Sequence, residues 1–190
     1  MEAEAIDIDE YLKSGVEERF YFLYRNYPIL NPIIKSYRND IISDVVDMKT
    51  YNRRNANGEL GVRVQVSVGV NRPTEKKAIN NLMIAQAIDD NILDEDFFQD
   101  TDDPAELMRR ITVYHRVKKD FMTFTEKLET LDPEEQLIFK PCLLRKKKLT
   151  DMADELGIGY RTLVTKIYKI RKKLSDKVEP RLMKGAGNGI

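Results

Sequence analysis

The chain has little of what stabilises small secreted proteins or zinc domains. Its 190 residues contain one cysteine, Cys142, and one histidine, His115. A single cysteine cannot form an intramolecular disulfide, and no cluster of Cys and His residues has zinc-site spacing. We therefore expect neither a disulfide-stapled scaffold nor a metal. We interpret Cys142 as a small core residue and His115 as an ordinary surface or boundary residue.

Long apolar runs and a basic leader are also absent. No stretch of about 18 apolar residues occurs, and the first residues, MEAEAIDIDEYLKSGVEE, are acidic where a targeting peptide would be basic. Hydrophobic residues still make up 42% of the sequence, enough to form a core. We therefore expect a soluble, cytoplasmic protein of one or two domains with no membrane partner.

Motifs of catalysis and cofactor binding are missing as well. The sequence has no glycine-rich phosphate loop and no nucleophile elbow, so nucleotide hydrolysis and acyl transfer have no support. The acidic stretch 94–103 lacks the spacing and the central glycine of an EF-hand, and we interpret it as a solvated loop. We expect no enzyme activity and no cofactor.

Charge is divided unevenly along the chain, although 32 Lys/Arg and 32 Asp/Glu give a formal net charge of zero. Residues 140–190 hold 14 basic and 5 acidic residues, a net charge of +9, so residues 1–139 carry −9. A basic segment joined to an acidic body is typical of a DNA-contacting module, because neutralising phosphates releases condensed counterions. A solvated lysine-rich helix would explain the charge equally well.

The amino-terminal half is predicted to form short helices and one strand-like segment. Pro28 and Pro32 interrupt the first fifty residues, so we expect two helices, over 9–25 and 32–48. Valines at every second position over 62–70 have the period of a strand. This segment needs a pairing partner, and three readings stay open: a hairpin turned at Asn57-Gly58 with residues 48–51, pairing with a second chain, or an extended linker.

Two helices are expected next. Thr74 is placed to cap a helix over 75–93, with Ile79, Leu82, Met83, Ile88 and Ile92 near one face. Asp103-Pro104-Ala105-Glu106 then predicts the start of a strongly amphipathic helix. Its apolar residues could pack within the chain or along a partner helix, and we favour the first; they are Leu107, Ile111, Tyr114, Val117, Phe121, Phe124 and Leu128.

The carboxyl-terminal third contains three short helical units. Asp132-Pro133-Glu134-Glu135 predicts the start of the first. Thr150 is placed to cap the second, over residues 151–156. Gly157 follows where the chain must turn in a left-handed conformation, and Ile158 fills the corner. The apolar residues expected on the inner faces are Leu137, Ile138, Leu143 or Leu144, Met152, Ala153 and Leu156.

The third unit is a helix over residues 160–174. Leu163, Ile167, Ile170 and Leu174 recur at intervals of 4, 3 and 4, so one stripe faces inward. The other face suits DNA, because a helix fits the major groove, its first residues reach base edges and later cations meet phosphates. We expect base readout from Arg161, Thr165 and Lys166, with Tyr160, Val164, Tyr168 and Lys169 in the same DNA-binding set. Phosphate contacts are expected from Arg145, Lys146, Lys147, Lys148, Arg171, Lys172 and Lys173.

The segment LDPEEQLIFKPCLLRKKKLTDMADELGIGYRTLVTKIYKIRKKL resembles the region-4 helix-turn-helix of sigma-70-type factors. The likeness covers about a quarter of the chain and rests on the leading Leu-Asp-Pro-Glu-Glu, the Met152-Ala153 pair, the Leu156-Gly157-Ile158 turn and the closing Ile-Arg-Lys-Lys-Leu. Gly159 stands where the family usually has a Ser or Thr N-cap. The resemblance implies binding to double-stranded promoter DNA, with RNA polymerase as the natural partner.

Residues 1–130 lack the aromatic, acidic and basic helix with which region 2 of a complete sigma factor opens a promoter. In segments 58–65 and 73–79 they resemble phage-encoded regulators of the ArpU/RinA type. This resemblance implies activation of late phage genes.

We therefore expect a mainly α protein that acts as a sequence-specific transcriptional regulator, with homo-oligomerisation left open. Two alternatives remain: a small-terminase-like packaging component that binds DNA as a ring, and a protein-only helical adaptor. The expected organisation is a helical segment over 1–50, an extended linker over 51–77, central helices over 78–129, a helix-turn-helix domain over 130–178 and a flexible tail over 179–190.

Overall fold

The computed structural model describes residues 8–56 and 73–184, and over these residues the protein is mainly α-helical. Within them, seven α-helices follow a short 3₁₀ turn at Ile8–Glu10, and there is no strand. The valine alternation over 62–70 and the Asn57-Gly58 turn lie outside the described residues. The helices are α1 (Val16–Ala56), α2 (Pro73–Asp90), α3 (Glu95–Phe98), α4 (Pro104–Glu129), α5 (Pro133–Leu143), α6 (Leu149–Glu155) and α7 (Tyr160–Lys184).

The described helices form two compact units. The first comprises the described residues of Met1–Ile34 and His115–Ile190, and the second those of Lys35–Tyr114. The chain leaves the first unit within α1 and returns to it within α4. Residues 130–178 therefore belong to a larger unit, which also contains the first part of α1. None of the helices in the described ranges is long and apolar enough to cross a membrane.

α1 is a single helix of 41 residues in which Pro28 and Pro32 are both internal. The prediction of two helices over 9–25 and 32–48 is therefore wrong. A proline inside a helix removes a backbone hydrogen bond and costs about 3 kcal/mol, whereas full burial of one large apolar side chain contributes about 1.5–3 kcal/mol. α1 buries seven such side chains, which outweighs both prolines: Phe20, Leu23, Leu30, Ile34, Tyr37, Ile41 and Val45.

The linker predicted over 51–77 is corrected at both of its ends. Residues 51–56 continue α1, and α2 begins at Pro73. Residues 48–51 are therefore helical and are not the strand of a hairpin. Thr74 lies inside α2 and is not its N-cap.

α2 turns inward only part of the predicted face. Ile88 is buried as predicted, and Ile84, which was not among the predicted residues, is buried one turn earlier. The helix ends at Asp90, and Asn91 follows with a left-handed φ of 55°. Apolar residues surround more than one face of α2, so their spacing did not show which face packs. The predicted inner-face residues that are in fact exposed are Ile79, Leu82, Met83 and Ile92.

The acidic stretch 94–103 contains the short helix α3 and is not simply a solvated loop. The Asp94 carboxylate caps α3, accepting a hydrogen bond from the backbone N–H of Phe97 at 2.9 Å. At the other end, the Lys49 ammonium donates to the carbonyl of Gln99 at 2.7 Å. Burial lowers the pKa of this lysine. α3 thus has a negative charge at its amino end and a positive charge at its carboxyl end, as the helix dipole favours.

α4 confirms the predicted amphipathic pattern. Pro104 is its first residue, and Asp103 accepts from the backbone N–H of Glu106 at 3.0 Å. Phe121 is half-buried. The other six predicted core residues, Leu107, Ile111, Tyr114, Val117, Phe124 and Leu128, are at most 3% exposed.

Aromatic rings from α1 form part of the core of the first unit. The ring of Phe20 lies 5.7 Å from that of Phe124 on α4, and the ring of Tyr24 lies 6.0 Å from that of Phe139 on α5. Distances of this size are typical of packed aromatic pairs. The amino-terminal part of α1 is therefore part of the hydrophobic core beneath α5.

The bounds of the last three helices depart from prediction at the start of α6 and at the end of α7. α6 begins at Leu149 with Lys148 at the N-cap position, so Thr150 lies inside the first turn. α7 extends to Lys184, and Val178 and Leu182 are buried, so residues 179–184 are not a flexible tail. On the inner faces, Ile138, Leu143, Met152 and Ala153 are buried as predicted, whereas Leu137 and Leu156 are exposed.

Candidate nucleic-acid interface

A tight turn joins α6 to α7. Gly157 has a φ of 63°, which confirms the predicted left-handed glycine. Its N–H donates to the carbonyl of Asp154 at 3.1 Å, and the N–H of Ile158 donates to that of Ala153 at 3.0 Å. This pair of bonds is a Schellman motif, which satisfies the last carbonyls of α6 and ends the helix sharply. α7 begins three residues later, at Tyr160.

One stripe of α7 faces inward, as its spacing predicts. Leu163, Ile167, Ile170 and Leu174 are at most 8% exposed. α5 and α6 both pack against α7. Burial of the stripe fixes the rotation of α7 about its axis, and so determines which side chains remain on the outer surface.

The outer face of α7 carries both apolar and polar side chains. Tyr160, Val164 and Tyr168 are 51%, 39% and 56% exposed. Arg161 and Thr165 lie on the same side of the helix, one turn apart. The Thr165 hydroxyl donates to the carbonyl of Arg161 at 2.9 Å, which leaves its oxygen able to accept a further hydrogen bond. We call this set of five residues, together with Lys169 and Lys172, the outer face of α7.

Five of the predicted DNA-contacting cations are exposed and, among the described residues, have no ion-pair or hydrogen-bond partner for their side chains. Three are on the outer face of α7: Arg161, Lys169 and Lys172. The other two, Lys146 and Lys148, lie in the connection between α5 and α6. An unpaired cation binds an anion without first losing an internal partner.

The remaining five predicted cations have partners within the first unit. Lys173 on α7 donates to Asp132 at 2.7 Å and to Glu135 at 2.9 Å. Lys166 lies 3.6 Å from the carboxylate of Glu134. Sequence spacing did not indicate these pairs, because they join α7 to the start of α5, more than 30 positions earlier in the chain.

Arg171, Lys147 and Arg145 are engaged in other ways. The guanidinium of Arg171 lies 5.6 Å from the ring centre of Tyr21 and 5.7 Å from that of Tyr24, and it also lies over Tyr168. These are cation–π distances. The ammonium of Lys147 pairs with the carboxylate of Glu155. The sequence pattern did not indicate that Tyr21 and Tyr24 lie beside α7.

Arg145 occupies a strained position. It follows α5 with a φ of 52°, a conformation that favours glycine. Its N–H donates to the carbonyl of Cys142 and the N–H of Lys146 donates to that of Pro141, both at 3.0 Å, which is a second Schellman motif. The guanidinium donates to the backbone carbonyl of Arg25 on α1 at 2.9 Å.

The connection between α5 and α6 borders an open depression of about 490 Å³. Arg145, Lys147 and Lys148 line it on one side, and Thr150 and Tyr160 complete it. Cys142 also lines it, and burial raises the pKa of this thiol. The depression joins the basic connection to the first residue of α7, so these two parts of the predicted interface form one continuous surface.

A buried polar cluster that the sequence pattern did not indicate contacts α7 near its carboxyl end. Asp120 on α4 accepts hydrogen bonds from Arg19, from Arg116 at 3.0 Å and from the Tyr11 hydroxyl at 2.9 Å. Both arginines also donate to the carbonyl of Leu182 near the end of α7. Arg19 and Asp120 are 101 positions apart and look like ordinary helix-surface charges, so no signal in the sequence pairs them.

The cysteine and the histidine considered for other chemistry lie in different places, and Cys142 is half-buried beside the depression. His115 is half-buried on α4. In the parts of the chain that the structure describes, no group of His, Cys, Asp and Glu side chains is arranged to hold a metal ion.

Comparisons of the chain with protein-family models, with curated proteins and with solved structures gave no match.

Proposed function

We propose that this protein binds double-stranded DNA through a helix-turn-helix formed by α6 and α7, with α7 in the major groove. The observation that carries the proposal is the division of α7 into a buried stripe and an outer face on which Arg161, Lys169 and Lys172 have no described partner. An α-helix fits the major groove, and cations on its outer face meet base edges and phosphates there.

Reading and phosphate contact are separated along α7. Arg161 and Thr165 lie in the first two turns, where the residues of a recognition helix meet base edges. Arginine forms paired hydrogen bonds with guanine, and the apolar Val164 between them suits contact with a thymine methyl group. Lys169 and Lys172 lie further along and suit phosphates. Lys166 would have to exchange its contact with Glu134 for DNA, so we rank it below Arg161.

The biological role that we propose is transcriptional regulation at promoters. Its support is the resemblance of residues 131–174 to sigma-70 region 4, together with the weaker resemblance of residues 58–65 and 73–79 to phage-encoded regulators of the ArpU/RinA type. RNA polymerase is the partner that this role requires. The protein in this proposal is a binding protein of the cytoplasm and not an enzyme.

Selection of bound sequences from a random pool of duplex DNA tests the proposal. The full-length chain should enrich a defined motif, and its affinity for that motif should fall linearly with the logarithm of salt concentration. Each phosphate contact contributes about −0.9 to the slope of that log-log plot. A chain that enriches no motif and shows no salt-dependent affinity is not a DNA-binding regulator.

Arg161→Ala tests which residue reads bases. We expect a loss of about 1–3 kcal/mol on the selected motif and a relaxed base preference at one position, because Arg161 supplies a paired contact to a base. Lys146→Ala is the matched control, since Lys146 is an exposed, unpaired cation in the α5–α6 connection and should weaken selected and random duplexes alike. Equal losses on both duplexes for Arg161→Ala would refute its assignment as a reading residue.

A protein-only adaptor is the second candidate, and exposed apolar side chains favour it. Leu137 on α5 is 75% exposed, and Tyr160, Val164 and Tyr168 form a continuous exposed stripe on α7. Tyrosines in particular are enriched in protein interfaces. The salt dependence separates the candidates, because an adaptor has no duplex affinity that depends on salt.

A further inference from the structure

The amino-terminal part of α1 lies beside the proposed DNA-binding surface at two independent points. The guanidinium of Arg145, in the connection before α6, donates to the backbone carbonyl of Arg25 at 2.9 Å. One turn earlier in α1, the ring of Tyr21 lies 5.6 Å from the guanidinium of Arg171 on α7. Tyr21 and Arg25 are four positions apart, so they share one face of α1.

The side chain of Arg25 has no structural task in the described part of the molecule. It is exposed, and no described residue forms a hydrogen bond or an ion pair with it. The contact with Arg145 uses only the backbone carbonyl of Arg25, which any residue at this position would supply. Arg25 is therefore an exposed arginine whose backbone contacts the basic α5–α6 connection, and no described anion pairs with its charge.

The position of Arg25, on a helix beside α7, suits contact with the phosphate backbone at the edge of a DNA groove. Phosphate backbones border the major groove on both sides, about 12 Å apart, and a helix with its side chains is about 10–12 Å in diameter. An element that lies directly beside the inserted helix therefore meets one of the two backbones. A guanidinium at that place binds a phosphate through charge-assisted, paired hydrogen bonds.

We propose that Arg25 of α1 binds a backbone phosphate of the duplex, so that the DNA-binding surface extends from the carboxyl-terminal helices onto the amino-terminal helix. This inference rests on the proposed function. It adds a contact contributed by a segment more than 100 residues away in sequence, one that the charge distribution along the chain did not indicate.

Arg25→Ala in the full-length chain tests the inference. Its affinity should fall by about 5-fold to 10-fold on selected and random duplexes alike, and the salt dependence should lose about 0.9 from its slope, the contribution of one phosphate contact. Arg25→Lys should restore the slope, because a lysine keeps the charge. The thermal melting temperature should be unchanged in both variants, since the carbonyl that accepts from Arg145 is retained.

Arg181→Ala is the matched control. Arg181 is an exposed arginine of the same unit, about 30 Å along α7 from Tyr160 by the rise of the helix. The Arg181→Ala variant should bind DNA with the same affinity as the unaltered chain and with the same slope of log affinity against log salt concentration. If the unaltered chain binds with a salt-dependent affinity and Arg25→Ala matches it in slope, the inference is wrong and the proposed function stands. If the unaltered chain shows no salt-dependent affinity for duplex DNA, the proposed function fails and the inference fails with it.

Discussion

Two residues with left-handed backbones shape the segment that contains the candidate interface. Gly157 adopts this conformation without steric cost, and Arg145 adopts it against the preference of a residue with a side chain. The strain at a non-glycine residue is about 1–2 kcal/mol. The two backbone hydrogen bonds of the Schellman motif and the exposed bond from the Arg145 guanidinium to the carbonyl of Arg25 hold the residue in this conformation.

Gly157→Ala should destabilise the protein by about 1–2 kcal/mol, because alanine is strained at a φ of 63°. No heavy atom lies within 4 Å of the added methyl group, so backbone strain alone produces the loss. Denaturant unfolding measures it. Gly159→Ser is the control, since it precedes α7, meets no close contact and adds a capping hydroxyl worth a few tenths of a kcal/mol. An unchanged midpoint for Gly157→Ala would show that the turn tolerates a side chain.

At the level of helices, a charged contact ties α7 to the start of α5. The Lys173 ammonium bridges the carboxylates of Asp132 and Glu135, and Glu135 also accepts from the backbone N–H of Asp132 at 3.2 Å. The hydrogen bond and charge of Lys173 lower the pKa of Asp132, and the hydrogen bonds to Asp132 and Glu135 raise the pKa of Lys173. The first turn of α5 is thereby held to the middle of α7.

The stabilisation from this contact should depend on pH. Asp132 has a folded pKa below its usual 3.8, so its contribution is present above about that pH and is lost as the pH falls through the lower folded value. Lys173 has a folded pKa above its usual 10.5, so its contribution is present below that pH and is lost as the pH rises through the higher value. Lys173→Met should therefore lower the melting temperature at pH 7.

The difference between Lys173→Met and the unaltered chain should shrink as the pH falls below 3.8. Lys172→Met is the matched control, because Lys172 is exposed and has no described partner. Calorimetry from pH 7 to pH 3 measures both variants. A difference for Lys173→Met that stays constant over this range would mean that the methylene chain of Lys173, and not its charge, stabilises the contact.

At the level of the whole molecule, Asp120 joins segments from both ends of the chain within the first unit. Its carboxylate meets two arginines, one on α1 and one on α4, and the hydroxyl of Tyr11 before α1. Asp120, Arg19 and Tyr11 are at most 5% exposed. Burial raises the pKa of the Tyr11 phenol well above its usual value. The cluster therefore contains two cations with one carboxylate between them.

Asp120→Ala should destabilise the protein by about 3–5 kcal/mol, because it leaves the buried Arg19 and the half-buried Arg116 without their counter-charge. Equilibrium unfolding in urea measures the change. Glu10→Ala is the control: its partner Lys13 is largely exposed, and an exposed pair contributes little to stability. A loss for Asp120→Ala no larger than that for Glu10→Ala would mean that water compensates both arginines.

The spacing of apolar residues was sufficient for the elements that depend on local chemistry. It predicted the amphipathic α4 and the inner stripe of α7 from Leu163 to Leu174, and the residue type of Gly157 predicted its left-handed turn. It was misleading where local preference and burial disagree. Pro28 and Pro32 break a helix in isolation, yet α1 passes through both, because the side chains buried along it contribute more than the prolines cost.

The sequence alone therefore determined that the protein is mainly helical. It also determined which stripe of α7 faces inward and which residues form its outer face, because helix periodicity is a local property. Only the tertiary structure decided which cations remain unpaired, for Lys173 is bound to the cap of α5 while Lys172 beside it is exposed. It also decided that Arg25 lies next to Arg145. Ion pairs and hydrogen bonds between distant positions follow from how helices pack, and side-chain spacing within one helix contains no information about them.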